Sequence, residues 1–440
     1  MPGSLSATEV GLSTEPPESQ EAHGDQRNLS LLSGRALLVG LRANVLTVVL
    51  QPFVLYLGQS VAFVGLLESI GGYRGLVPTA IQPLAGWLAD RAGRKGIAVL
   101  AGIFTVGSLL LLAAAGALRS PALLVPAIVL LGLNGLGRPA LDAMVGESAP
   151  RNSVGRAYGM VTFTWALAGV FASLGAGYMA DRLGYPSVYL LTAGIEVAGT
   201  LLLALGVRET LTARRRARLA PHEAGRLVLE TFVPPRRLRG FYAAVILDSF
   251  FYGLGSALLY GFLADRFGYT PFQFGIMTTA FSISWALFQL PAGRWVDDGR
   301  AKQFLIMAEI LNAGVIASWL VTSSFLVFTI SMLALGLTAA LWSPALMAWI
   351  YARVAQTTRA EELGRLSAVP GVFAFPAPWL GGLLYQHLGY AVPLLLNLIG
   401  TLLAGAVFAW GVREPPSGPE QPPSSLYPPV RPRRGVFWRR

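Results

Sequence analysis

The sequence predicts an all-α integral membrane protein with twelve transmembrane helices arranged as two pseudo-symmetric six-helix bundles. Three observations lead to this prediction: the composition, the recurrence of long apolar segments, and an internal repeat. Of the 440 residues, 54% are apolar and 13% are charged, and the mean hydropathy is +0.55. Soluble domains carry about 25% charged residues, so this composition indicates that most of the chain lies in lipid.

Apolar segments recur along the chain with short polar breaks between them. About 20 apolar residues suffice to cross a hydrocarbon core of ~30 Å. Lipid offers no hydrogen-bond partner to an open backbone, so each segment is predicted to be helical. The predicted helices span residues 36–58, 61–88, 97–118, 121–146, 156–180, 187–207, 241–263, 270–293, 303–322, 325–351, 363–386 and 390–411.

Basic residues concentrate on alternate connections between these helices. Loops that retain arginine and lysine face the cytoplasm, and the loops after the first, third, fifth, seventh, ninth and eleventh helices hold only Arg119, Arg182 and Arg266. The sequence therefore predicts a multi-pass protein of the inner or plasma membrane with both termini cytoplasmic. The net charge of +11 is explained by this asymmetry, and no nucleic-acid partner is expected.

The polar segments divide the chain into five regions. Residues 1–35 are predicted to be a disordered cytoplasmic tail, without the basic and apolar regions of a signal peptide. Residues 36–207 and 241–412 form the two bundles. The basic loop 208–240 joins them and lies near anionic lipid headgroups, unless its arginines serve only to fix topology. The Pro-rich residues 413–440 form a second disordered tail.

The chain lacks the residues that several classes of function need. The chain has no cysteine and only three histidines, His23, His222 and His387, all in predicted tails or loops. We therefore expect no metal site, no cofactor and no enzymatic activity, since no nucleophile–base arrangement is present either. The glycine-rich segment "GLLESIGGYRG" (65–75) lacks the Lys-Ser/Thr of a phosphate-binding loop.

The two halves repeat one another at a nearly constant spacing. "GVRET" (206–210) recurs as "GVREP" (411–415), and "GYMADRLGY" (177–185) aligns with "GLLYQHLGY" (382–390). "QPLAGWLAD" (82–90) aligns with "QLPAGRWVD" (289–297). The offsets are 205 or 207 residues, which predicts two homologous bundles. Many transporters are built this way, with the substrate site between the halves near mid-membrane.

The segment "GWLADRAGRKG" (86–96) resembles the signature between helices 2 and 3 of the major facilitator superfamily. Its matching residues are Gly86, Leu88, Ala89, Asp90, Arg91, Gly93, Arg94 and Lys95. A weaker copy keeps Gly293, Asp297 and Lys302, and the resemblance covers residues 36–412. It implies a secondary transporter that works by alternating access, with helices 1, 4, 7 and 10 lining the cavity.

Three side chains around this signature are predicted to form a cytoplasmic latch. The carboxylate of Asp90 can accept hydrogen bonds from the N-terminus of a neighbouring helix. Arg94 can pair with Glu147, which resembles the acid that the family keeps at the end of helix 4. Gly86 lets another helix approach closely. The latch would close when the cavity faces outward; the alternative is a loop that only holds topology.

Ionisable residues inside the membrane are candidates for function because burying them in lipid is costly. Asp248, followed by Tyr252 on the same face of helix 7, is our first choice for a proton or cation site. Arg138 and Asp142 share a face of helix 4 and bind an anionic group, carry a proton, or form a structural pair. Four further residues are Glu196 and Glu309, for which structural roles are favoured, and Glu68 and Arg74. The spacing of six between Glu68 and Arg74 predicts different neighbours, and an outer gate is the alternative.

Uncharged candidates complete the predicted cavity. Asn44 and Gln51 share a face of helix 1 and form a plausible polar lining. Trp285 and Trp342 are aromatic candidates for holding an apolar or cationic substrate, and packing is the alternative role of both.

The sequence favours proton-driven export of a small molecule by a monomer. Two further family signatures, in helices 4 and 5, are poorly matched, so import by proton symport stays open. A transport-inactive receptor or assembly factor with the same fold is the alternative from a different class.

Overall fold

The computed structural model describes residues 26–149, 154–211, 232, 234–297, 300–354 and 359–412. These residues form α-helices joined by short turns, and none of them is in a β-strand. In the first bundle the helices are α1 (Gln26–Tyr56), α2 (Val61–Gly71), α3 (Leu76–Ala92), α4 (Arg94–Ala117), α5 (Leu124–Leu133), α6 (Gly137–Ser148), α7 (Val154–Leu183) and α8 (Tyr185–Leu201). In the second they are α9 (Arg239–Leu254), α10 (Leu259–Phe267), α11 (Pro271–Asp297), α12 (Ala301–Val321), α13 (Phe325–Tyr351), α14 (Arg359–Ala374), α15 (Ala377–Leu388) and α16 (Ala391–Ala406).

Ten stretches of the described chain are helical, long and apolar enough to cross a membrane. The predicted second helix is not among them, because it is divided between α2 and α3 at Gly72–Gly75. The predicted eighth helix corresponds to the 27-residue α11, which is also not among the ten. The helical membrane fold is confirmed, whereas the count of twelve spans stays a prediction.

The internal repeat of the sequence is visible in the backbone. Each bundle ends in a five-residue π turn, Leu202–Gly206 in the first and Val407–Gly411 in the second. Gly184 and Gly389 precede the last helix of each bundle with φ angles of 78° and 86°. Residues with a Cβ atom rarely adopt such angles. Both pairs are 205 residues apart, so the two bundles share local backbone geometry as well as sequence.

The first helix begins earlier than the sequence predicts. It starts at Gln26, so residues 26–35 belong to the first bundle and not to a disordered tail; residues 1–25 lie outside the described residues. The polar residues that suggested a tail have partners in the bundle. The Asn28 side chain donates to Ser148 Oγ at 3.1 Å and accepts from the Arg208 N–H at 2.7 Å.

The two bundles meet mainly where α7 packs on α11 and α2 packs on α15. We call the end of the molecule that carries Arg94, Arg208, Arg236, Arg300 and Arg353 the basic side. The opposite side carries the turns at Gly58, Arg119, Gly184, Gly268 and Gly389.

On the opposite side the bundles touch backbone to backbone. A Cβ atom added at Gly65 would lie 2.2 Å from the Pro378 carbonyl oxygen, and one at Gly177 would lie 2.3 Å from that of Pro271. The Trp379 N–H also donates to Ser69 Oγ at 2.9 Å. These contacts close the space between the bundles at that end.

The basic side differs. No described atom would lie within 4 Å of a Cβ atom at Gly86, or at Gly293 in the repeated position. Among the described residues, the close helix approach expected at Gly86 is therefore not made in this conformation.

Candidate functional site: a polar cavity between the bundles

A cavity of about 710 Å³ lies between the two bundles. Its walls combine charged and polar groups with apolar side chains such as Leu46, Phe281 and Leu335. The polar residues of its walls include Gln51, Glu68, Tyr73 and Arg74 from the first bundle, and Asp248, Tyr252, Tyr260, Glu309, Asn312 and Trp342 from the second.

Asp248 and Arg74 bring opposite charges into this cavity from different bundles. Asp248 lies on α9, and Arg74 lies in the break between α2 and α3. The two charges are close enough to attract each other. Glu68 and Arg74 have different neighbours, as their spacing predicts, since Glu68 lies beside Gln51 and Arg74 acts on Asp248, and the break lets both line the same cavity.

Gln51 connects the bundles through the break between α9 and α10. Its amide nitrogen donates to the Ala257 carbonyl at 2.6 Å, and its amide oxygen accepts from the Gly261 N–H at 2.8 Å. The same nitrogen lies 3.4 Å from a Glu68 carboxylate oxygen. The turn at Ser256–Leu258 interrupts the helix and leaves backbone groups for Gln51 to satisfy.

A second polar group of the cavity lies on α12 and α13. Glu309 is only 2% exposed, and the indole of Trp342 lies close enough to interact with it. Within the described part of the chain, the Glu309 carboxylate oxygens, the Asn312 amide oxygen and the Trp342 N–H form no hydrogen bond of good geometry, although the Trp342 N–H is within reach of the Glu309 carboxylate. The sequence favoured a structural role for Glu309, since the family places helix 9 at the periphery.

Four of the eight predicted cavity residues line this cavity: Gln51, Asp248, Tyr252 and Trp342. Asn44 instead donates to the Gly40 carbonyl at 2.9 Å and packs on Gly169. Trp285 packs edge-to-face on Trp165, with ring centres 5.1 Å apart. Both therefore lie at the α7 interface and do not line the cavity.

Arg138 and Asp142 lie beside the cavity on α6 and interact electrostatically with each other. Both are exposed, and the Arg138 guanidinium lies 6.0 Å from the ring centre of Tyr73. Tyr73 itself is 77% exposed although it lines the cavity. The space between the bundles is therefore wide on the side of α6 that leads to the basic side.

On the basic side, Arg94 and Glu147 form an ion pair. Gly93 provides the N-cap of α4 with a φ angle of 97°, while Arg91 is exposed and Lys95 is half-buried. The side chains of Asp90 and Asp297 lie outside the described part of the molecule. The pairing expected of Arg94 is thus present, and the partner of Asp90 stays a prediction.

Sequence reasoning missed Glu209 in this region. Its carboxylate accepts the backbone N–H groups of Arg94 and Lys95 at 3.3 and 3.1 Å, and those of Thr210 and Leu211 at 3.0 Å each. It thereby caps α4 and ties that helix to the end of the first bundle. Glu209 lies in the repeated segment "GVRET", which indicated symmetry between the two halves but no role for this carboxylate.

Glu196 lies in a buried ion triad far from the cavity. It is fully buried on α8 and pairs with Arg35 and Arg42 of α1, with Arg42 Nε at 3.1 Å from its carboxylate. The two arginines are seven residues apart and share a face of α1, a spacing that could have indicated a common partner.

Comparisons with known proteins agree with this architecture. The family model for the Major Facilitator Superfamily matches residues 32–258 and again residues 240–440. A sequence search of curated proteins finds no match.

Solved structures with a similar fold include three transporters. The human organic anion transporter MFSD10 (TETRAN) has 16% identity and a TM-score of 0.66, with 90% of this chain and 100% of that chain covered. A mutant of the nucleoside transporter NupG has 13% identity and a TM-score of 0.71, covering 87% and 98%. A D-xylose–proton symporter has 16% identity and a TM-score of 0.68, covering 88% and 97%.

The repeated match of the family model, the paired bundles and the cavity between them lead to one conclusion. This chain belongs to the major facilitator superfamily and is a multi-pass membrane transporter, not an enzyme.

Proposed function

We propose that this transporter exports a small molecule from the cytoplasm in exchange for protons, with Asp248 as the proton-carrying residue. The observation that carries the proposal is that Asp248 and Arg74, which have opposite charges, line the same cavity from different bundles and attract each other. Protonation of Asp248 removes that attraction. A single proton thereby changes the electrostatic attraction between groups of the two bundles, which can bias the equilibrium between the inward-facing and outward-facing states.

The open end of the cavity supports export as the direction of transport. Basic loops face the cytoplasm, so we assign the basic side to the cytoplasm. The glycine contacts close the opposite side, and Gly86 and Gly293 are uncovered on the basic side. This conformation would load its substrate from the cytoplasm, as an exporter does before turning outward.

The ion pair of Arg94 and Glu147 belongs to the same proposal. It positions the loop that carries Asp90, whose carboxylate would meet the N-terminus of a helix of the second bundle once the basic side closes. The latch would then stabilise the outward-facing state, and its release would return the cavity to the cytoplasm.

The test uses everted membrane vesicles with an internal pH dye. After the interior is acidified, a panel of amphipathic drugs, organic acids and sugars is added, and the wild type is compared with Asp248→Asn. Asp265→Asn, which removes an exposed carboxylate outside the cavity, is the matched control. We expect one compound to release protons from vesicles with the wild type or the control, but not with Asp248→Asn.

Other outcomes identify the alternatives. Accumulation of a compound by right-side-out vesicles, driven by inward proton movement, would show a symporter that imports. Ligand binding without movement in either vesicle orientation would point to a receptor or assembly factor. Full proton release by a well-folded Asp248→Asn would show that Asp248 does not carry the transported proton.

A further inference from the structure

We propose that the transported molecule carries a protonated amine, and that Glu309, Asn312 and Trp342 form its binding subsite. The inference rests on the proposed function in taking the cavity between the bundles as the substrate site. It adds the chemical class of the substrate and assigns a role to three residues of α12 and α13.

The subsite contains polar atoms that lack partners. Glu309 and Asn312 are 2% and 8% exposed, and both carboxylate oxygens of Glu309 and the amide oxygen of Asn312 make no hydrogen bond within the described residues. The Trp342 N–H lies within reach of the Glu309 carboxylate, which leaves acceptor capacity on Glu309 and Asn312 without a partner there. Buried polar groups in native proteins nearly always have a partner. Because Glu309 and Asn312 line the cavity, a ligand that donates hydrogen bonds can supply it.

The charges of the cavity indicate whether that ligand is a cation or an anion. Among the described residues, its lining contains the carboxylates of Glu68, Asp248 and Glu309 and one cationic side chain, Arg74. Arg74 acts on Asp248, and Glu68 lies beside the Gln51 amide. Among the described groups, only the like charge of Asp248 acts electrostatically on Glu309. A cation beside Glu309 would balance the cavity, whereas an anion would add to its excess negative charge.

The geometry distinguishes an amine from other cations. The unsatisfied oxygens of Glu309 and Asn312 are hydrogen-bond acceptors that suit the N–H groups of an ammonium. The Trp342 ring adds an aromatic face, which attracts organic cations. Apolar neighbours such as Leu335 and Ala339 can cover the rest of an organic molecule. No group of three or more His, Cys, Asp or Glu residues that could hold a metal ion exists in the described part of the chain.

The experiment measures binding to purified protein in nanodiscs of neutral lipid, without a proton gradient. The probes are monodansylcadaverine, a fluorescent primary amine, and its N-acetyl derivative, which lacks the charge. Tryptamine and N-acetyltryptamine provide a smaller pair, read by displacement of the fluorescent amine. Empty nanodiscs correct for partition into lipid. We expect the amine of at least one pair to bind the wild type about tenfold or more tightly than its acetylated form, since charge-assisted hydrogen bonds are strong.

Variants then locate the subsite. Glu309→Gln should abolish the preference for the amine, and Asp265→Asn should keep it. If Glu309→Gln fails to give a monodisperse protein, Glu309→Asp replaces it; the shorter carboxylate should keep the preference but weaken amine binding. Equal binding of amine and acetylated probes by the wild type in both pairs would overturn the proposal. An unchanged preference in a folded Glu309→Gln would overturn it as well.

The experiments distinguish a failure of the amine subsite from a failure of the proposed proton-coupled export. Asp248→Asn should lose proton-coupled transport, and because it removes one of the cavity's carboxylates it should weaken amine binding without abolishing the preference for the amine, which only Glu309→Gln should do. Amine binding without any proton coupling would refute the export mechanism and leave the subsite in place. Proton-coupled transport without an amine preference would refute the subsite alone.

Discussion

The buried triad of Arg35, Arg42 and Glu196 allows a quantitative prediction about stability. Glu196→Gln removes the one negative charge between two buried guanidinium groups and leaves both uncompensated. The Arg42 Nε lies 3.1 Å from the carboxylate, and at an effective dielectric constant of about 20 this attraction is about 5 kcal/mol. Removing one partner of a buried pair typically costs ~3–5 kcal/mol, because the other charge stays buried without compensation.

This loss should appear as a lower melting temperature. A domain of 150–250 residues shifts by about 2–4 °C per kcal/mol, so we expect a decrease of about 6–20 °C. The chain contains ten tryptophans and no cysteine, so unfolding is best followed by intrinsic tryptophan fluorescence. Asp265→Asn, an exposed carboxylate, is the control and should melt close to the wild type.

A double variant tests the cause of the loss. Arg42→Met in the Glu196→Gln background removes one uncompensated charge, so the double variant should melt at a higher temperature than Glu196→Gln alone. The reasoning is refuted if Glu196→Gln melts at the temperature of the wild type. It is also refuted if the second substitution lowers the melting temperature further.

Four further substitutions test the conformational cycle and the basic side. Gly65→Val should prevent closure of the opposite side. A single cysteine introduced into the cavity wall should then be labelled faster from that side. The control Gly194→Val, where a Cβ atom meets open space, should not change the labelling rate. Gly86→Trp should leave folding and amine binding intact but abolish transport, because the basic side can no longer close; normal transport would contradict this. Asp90→Asn should fold and lose most transport in the vesicle assay. Transport at the wild-type rate by the folded variant would show that Asp90 does not form the proposed latch. Glu209→Ala should lower stability by about 0.5–2 kcal/mol, as loss of a helix cap does, measured by thermal unfolding.

The membrane-spanning helical fold and its two-fold repeat could be predicted from the sequence. Long apolar segments must be helical in lipid whatever their neighbours are, and the repeated "GVRET" and "GVREP" each begin at the last residue of a π turn, the two turns being 205 residues apart. The start of α1 was missed because Asn28 and Arg35 look like tail residues until their partners are known. Those partners, Ser148, Arg208 and Glu196, are more than a hundred residues away in the chain.

The composition of the cavity depended on tertiary structure. Helical periodicity assigns a residue to a face of its own helix, but it does not specify which neighbour covers that face. Asn44 and Trp285 were predicted to line the cavity and are covered by α7, whereas Glu309 was assigned a structural role and lies in the cavity wall. The break at Gly72–Gly75 likewise brings Arg74 to the same cavity as Glu68. The sequence by itself determined the membrane fold, its internal repeat and the family signature, since these depend on local composition and spacing. Only the packing of helices distant in sequence decided which of the embedded charges meet.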